Sequence, residues 1–204
     1  VGNTGQFYTL TIAVTDGPTT ANIALSDTLP SGMTTSGAIT ALGGVISSCP
    51  SAGASSLVGC VINSGAATGS IVVTVPITVS ASASNPSVNA VTISGGGSLL
   101  CPLDPSCTSS ISTPVLDAVS ESVSKQPNIA TTSDVSSNDL FPVGSTYSQL
   151  ATTCSPAGTV STAGLASYTT PAANTSCTVT YQVCAPSPNT GICDSAVLTI
   201  NSGN

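Results

Sequence analysis

The stretch "IVVTVPITV" (71–79) decides the fold class. Ile71, Val73, Val75, Ile77 and Val79 occupy every second position, and Val72, Thr74, Pro76 and Thr78 fill the places between. Successive side chains leave an extended backbone on opposite faces, so this alternation makes a half-buried β-strand. Proline donates no hydrogen bond, and Pro76 on the outer set marks the strand as one that borders a sheet edge. The opening "VGNTGQFYTLTIAVTDGP" (1–18) repeats the pattern. There Tyr8, Leu10, Ile12 and Val14 alternate with Thr9, Thr11, Ala13 and Thr15, until Asp16-Gly17-Pro18 stops the run.

Reading outward, strands are expected at 6–15, 21–26, 70–79, 88–94, 129–136, 145–151, 158–169, 176–184 and 192–200. Turns rich in Gly, Pro, Ser and Asn separate them, at the spacing of β-sandwiches. Helical periodicity is missing from the sequence. The stretch "GGGSLLCPLDPSCTSSISTP" (95–114) breaks the strand pattern and carries a small cysteine loop. It sets a boundary between an N-terminal domain, 1–113, and a C-terminal one, 114–204. The expected fold is all-β, with two tandem sandwich domains.

Composition narrows the function. Only 4% of the 204 residues are charged, and Lys125 is the single base against eight acids, for a net charge of −7. Nucleic-acid binding needs cationic side chains against phosphates and is set aside, as is attraction to anionic lipid. No apolar run reaches the ~18 residues that span a bilayer, so no membrane insertion is expected. Ser and Thr make up close to a third of the chain and do the solvating that charges usually do. Trypsin-like proteases would find one cleavable bond, Lys125-Gln126.

Eight cysteines without any His, and without CxxC spacing, favour disulfides over a metal site. Sequential pairing, Cys49–Cys60, Cys101–Cys107, Cys154–Cys177 and Cys184–Cys193, would close four short loops. In the chain-entropy view each stabilises by about 2.5–3.5 kcal/mol. Disulfides imply an oxidising compartment, so the protein is expected to be extracellular, either secreted or at a cell surface.

Two resemblances sharpen the expectation. Residues 1–95 carry "VGNTGQFYTLTIAVTDG", "IALSDTLPSGMTTSG", "GSIVVTVPITV" and "NAVTISGGG", with an Asp27-Thr28-Leu29-Pro30 turn after the second strand. This order resembles the conserved repeat domain of bacterial surface proteins known as domain of unknown function eleven. Residues 114–200 carry "DVSSNDLFPVGSTYS", "YTTPAANTSCTVTYQVC" and "CDSAVLTI". They resemble the Ig-like, cadherin-like tandem repeats of bacterial adhesins. Both resemblances imply Ig-like sandwiches in secreted surface proteins, and neither implies a reaction. The first also implies a short strand running into Val1-Gly2, so the N-terminal domain is expected to lack its first strand. A neighbouring copy would then supply it by β-augmentation, and a head-to-tail contact of that kind grows into a filament.

Residue-level candidates are sparse. Without His a serine nucleophile lacks its ordinary base, so no catalytic residue and no enzyme activity is expected. No cofactor is expected either. Calcium could draw on Asp117, Asp134, Asn138 and Asp139, against the alternative that Asn138-Asp139 forms an Asx-turn. Asp27 is expected to close its own turn with Leu29 and Pro30. A Lys125 crosslink near Glu121 competes with a simply solvated lysine. Asn174-Thr175-Ser176 is an N-glycosylation sequon. The expected role is a structural subunit of a secreted bacterial filament, a homopolymer hardened by disulfides. The alternatives are a spacer in an adhesin stalk and a carbohydrate-binding adhesin. For the last, the aromatics Phe7, Tyr8, Phe141, Tyr147, Tyr168 and Tyr181 are few and core-like.

Overall fold

The computed structural model describes residues 5–203; Val1-Gly2, with the strand expected to run into them, lies outside the described residues. The chain is all-β and falls into two compact units, Val1–Thr113 and Pro114–Asn204.

Among its described residues the first unit holds nine strands: β1 (Gln6–Val14), β2 (Ile23–Asp27), β3 (Met33–Thr35), β4 (Thr40–Leu42), β5 (Ile46–Ser48), β6 (Cys60–Ile62), β7 (Gly69–Val79), β8 (Ser87–Gly95) and β9 (Thr108–Thr113). In one sheet β7 lies at the centre, paired with β1 on one side and with β3 and β4 on the other. The second sheet runs β5-β6-β2-β8-β9. Alternation explains the register. Ile71, Val73, Val75 and Ile77 of β7 are buried, as are Tyr8, Ile12 and Val14 of β1, while the intervening residues face outward. Fully burying a Val, Leu or Ile side chain contributes about 1.5–3 kcal/mol, so such rows stabilise the sheets with Tyr8 the one aromatic among the residues named.

The central place of β7 corrects the inference drawn from Pro76. The Pro76 carbonyl accepts from Ser36 N–H at 2.9 Å, so that residue's backbone faces the β3/β4 side. There the partner strand is split, with β3 ending at Thr35 and β4 starting at Thr40. The absent proline N–H points at this break, where no ladder acceptor needs it. An edge and an interrupted neighbour satisfy proline equally well.

Asp27 also departs from expectation. Its carboxylate accepts from Asn89 Nδ2 at 2.9 Å, across to β8, and not from its own turn. The turn is closed one step later, by Met33 N–H to the Pro30 carbonyl at 3.0 Å, while Leu29 is buried. Gly32, at φ +79°, makes that turn possible, because a Cβ there would meet the Ala83 backbone at 2.6 Å.

The second unit holds β10 (Glu121–Lys125), β11 (Ala130–Asp134), β12 (Thr146–Thr152), β13 (Thr159–Val160), β14 (Leu165–Thr169), β15 (Ser176–Cys184) and β16 (Cys193–Ser202). One sheet runs β10-β16-β15-β12, with β10 parallel to β16, and the other runs β11-β14-β13. Val135, Tyr168, Val179, Tyr181, Val183, Leu198 and Ile200 belong to one core fed by both sheets. The expected strand at 158–169 is a hairpin, β13–β14, turned at Gly164 with φ +83°. Disulfides join Cys49–Cys60 and Cys101–Cys107 in the first unit, and Cys154–Cys177 and Cys184–Cys193 in the second. Three of these tie strands that are already neighbours, and Cys184 sits directly opposite Cys193 in the ladder.

Lys125 ends β10, paired with Ser202, and its carbonyl accepts from Gly203 N–H at 3.3 Å. A protease needs an extended, unpaired segment, so the native chain should resist trypsin. In denaturant the same enzyme should give two fragments, 1–125 and 126–204. No disulfide spans that bond, so the fragments should separate on a non-reducing gel. Native digestion as fast as denatured digestion would show that β10 is not held in the sheet.

Candidate functional site

The Pro76 carbonyl fixes which way every backbone group of β1 points. In an antiparallel ladder, residues bonded to one neighbour alternate with residues turned away from it. Pro76 faces β3/β4, so its partner Phe7 faces away from β7, and so do Thr9, Thr11 and Ala13. These four residues present N–H and C=O groups along a side of β1 that has no strand partner among the described residues. Their side chains also lie on the outer face, where Phe7 is 61% exposed.

A second feature lies on the edge strand β9. Ile111 stands directly opposite Asn89 on β8, and residues so paired share a face. Asn89 is 3% exposed and points into the core, yet Ile111 beside it is 56% exposed. Leu10, on the core-facing set of β1, is only half-buried. Tyr8 brings the two edges near each other, since its hydroxyl interacts with the Thr113 side chain at the end of β9. The first unit is thus incompletely sealed along a seam between β1 and β9, with apolar groups at the opening and unpaired backbone on one rim.

These edges carry no protection. Natural edge strands are blunted by charge, proline, bulges or brevity. Here β10 carries Glu121 and Lys125, β11 ends on Asp134, β12 has a bulge between Gln149 and Ala151, and β3, β4, β5 and β13 are two or three residues long. By contrast β1 runs nine residues in unbroken register with neither charge nor proline, and β9 is likewise uncharged.

The second unit gathers its polar groups into a structural cluster. Asp139 accepts from Val119 N–H at 2.7 Å, Tyr147 Oη at 3.0 Å and Tyr181 Oη at 3.4 Å. Burial pushes its carboxyl above the ordinary aspartate value, partly offset by those hydrogen bonds. Burial does the same to Glu121, helped by the charges of Asp139 and Asp134. Both tyrosine hydroxyls are pushed upward, first by burial and then by Asp139. Phe141 packs edge-on against Tyr147, with ring centroids 5.5 Å apart.

The calcium candidates are engaged in this scaffold. Asp134 Oδ1 accepts from Ser136 N–H at 2.9 Å and Ser136 Oγ at 2.7 Å, and Asn138 Nδ2 donates to the Val119 carbonyl. Asp117 bridges to Leu140 through its backbone. Among the described residues, no three His, Cys, Asp or Glu side chains group as metal ligands. Asn174, the sequon residue, lies exposed in a turn at φ +58°, with its N–H bonded to the Ser202 carbonyl. Tyr8, Tyr147, Tyr168 and Tyr181 are buried. Sequence reasoning missed Ile111 and the buried Asp27–Asn89 contact, because neither has a local pattern.

No family model and no curated protein matches the chain, so the two resemblances rest on the quoted motifs.

Replacing Asp139 by Ala would leave the Val119 N–H and the Tyr147 hydroxyl short of an acceptor, while Tyr181 Oη keeps the Val119 carbonyl at 3.1 Å. A buried orphan costs about 1–3 kcal/mol, so Asp139→Ala should destabilise the second unit by about that much. Three of the four tyrosines lie in this unit, and near-UV tyrosine dichroism in a urea titration measures it. The raised values of Asp139 and Glu121 fix the sign of the pH dependence. Their contribution is fully present below the unfolded carboxylate value of about 4 and is lost as pH rises through the higher folded values. The second unit should therefore be more stable near pH 4 than at pH 7.

Proposed function

We propose that this protein is a structural subunit of a bacterial extracellular fibre, made of two Ig-like modules, in which copies join by strand addition along β1. The observation that carries the reading is the nine-residue, uncharged, unbulged edge of β1 beside the half-open seam that exposes Ile111. An added strand would satisfy the outward N–H and C=O groups of Phe7, Thr9, Thr11 and Ala13. Its side chains on the inner face would cover Leu10 and Ile111. Main-chain pairing supplies affinity in such joints and alternate side chains supply register. A contact passed from each copy to the next does not close on itself and so yields a filament.

Other features support an exposed structural role. Four disulfides fit an extracellular protein, and among the described residues no helix is long and apolar enough to cross a membrane. A surface of hydroxyls with 4% charge depends little on ionic strength. The lone basic residue leaves one bond for trypsin-like proteases.

Thr11→Pro tests the reading, because it deletes an edge donor that takes no part in the β1–β7 ladder. Wild-type protein should form fibres in negative stain, and a ladder of subunits on unboiled gels that collapses to one band on boiling. The Thr11→Pro protein should keep its tyrosine dichroism and remain monomeric. Equal assembly by both proteins, or a wild type that stays monomeric at high concentration, would overturn strand addition at β1. A single very long chain after boiling would favour the stalk spacer instead.

A further inference from the structure

The core of the first unit contains a carboxylate with little to hold its charge. Asp27 is 3% exposed on the inward face of β2, and its one side-chain hydrogen bond is from Asn89 Nδ2 to Oδ2 at 2.9 Å. The two remaining oxygens, Asp27 Oδ1 and Asn89 Oδ1, are both buried, and neither has a donor among the described residues. The unit's sequence contains no Lys, Arg or His, so no cationic side chain of its own can neutralise the site.

The surroundings are equally poor in donors. From β1, Tyr8 is the only titratable group that faces Asp27, and its hydroxyl is directed to Met33 Sδ on β3 at 3.3 Å. From β8, Ser87 Oγ also turns to Met33 Sδ, and Asn89 supplies the single contact already named. The remaining strands beside it, β6 and β9, carry no charged residue. An ionised carboxylate in such a place commonly takes up a proton in preference to staying charged.

One proton resolves both orphans together. A carboxylic acid and a primary amide form a ring in which the amide N–H meets one acid oxygen while the acid O–H meets the amide oxygen. The first of those bonds is present. The second needs a hydrogen on Asp27 Oδ1, directed at Asn89 Oδ1. Turning the amide over exchanges its two atoms but leaves the same need for one hydrogen.

We infer that Asp27 is a proton-binding site: in the folded first unit it is protonated at pH values where an aspartate in the unfolded chain is ionised, and it pairs with Asn89 as an acid–amide ring. The proton comes from solvent on folding and returns to it on unfolding. Burial pushes the Asp27 carboxyl up, partly offset by the Asn89 hydrogen bond, in accord with the geometry. The contribution is therefore full below the unfolded aspartate value and disappears as pH rises through the folded one. The inference does not depend on assembly and would stand for a monomer.

The test is a pH titration of the Asp27 γ-carboxyl carbon by NMR in the full chain, folded and in urea. The expected midpoint is higher in the folded protein; a midpoint equal to or below the unfolded one overturns the inference. Asp27→Asn provides the second arm, because two amides form the same ring with no proton. Hydrogen exchange of the β2 and β8 amides should show that the variant keeps wild-type protection at pH 7. It should also lose the extra protection that wild type gains near pH 5. Weaker protection of the variant at both pH values, with sodium or calcium chloride protecting the wild type alone, would mean an ionised Asp27 that holds a cation, and the inference would fail.

Discussion

Backbone pairing across β7 is the constraint on which the first unit rests. Every other device that proteins use to fix a sheet is scarce here: charged pairs are almost absent, aromatics are few, and the outer faces are mostly hydroxyls. What remains is the ladder itself and the apolar row it aligns. β7 supplies Ile71, Val73, Val75 and Ile77 to the core, and gives one edge to β1 and the other to β3 and β4. A one-residue slip would turn that whole row to solvent, so the register is strongly specified. Among the described residues β1 has no strand on its other side, and neither charge nor proline blunts it.

The two units handle buried polarity differently. In the second, Asp139 is surrounded by donors, and two tyrosines reach it from β12 and β15. A satisfied network of this kind ties β12 and β15 to the segment between β11 and β12 that carries Asp139, and so specifies their arrangement. In the first unit, Asp27 and Asn89 face each other with few donors around them, so their oxygens compete for hydrogen atoms. Both sites push an acid upward from its ordinary value, and both therefore favour the folded chain in mildly acidic surroundings.

The all-β class was readable in the sequence because the long strands have one dry and one wet face. The strand expected at 176–184 is β15, Ser176–Cys184, and those at 6–15 and 70–79 are within a residue of β1 and β7. Strands of three residues, β3 to β6, carry little more than one period of the pattern and leave no signal. β9 was hidden for a different reason: "TSSIST" places hydroxyls on both faces, as an edge strand can. The candidate seam was therefore only half legible, with β1 visible and Ile111 not. Pro76 and Asp27 were misread because the residues that explain them, a break at 36–39 and Asn89, lie far away in the chain. Local rules report what a residue lacks, and only the fold reports where that lack is harmless.

The disulfides follow chain order: each cysteine is bonded to the next one along. A polypeptide threaded outward from its N-terminus would present each partner before any rival thiol had emerged. Correct bonding then requires no reshuffling and no isomerase to sort one pair from another. Oxidation can then keep pace with the threading of the chain.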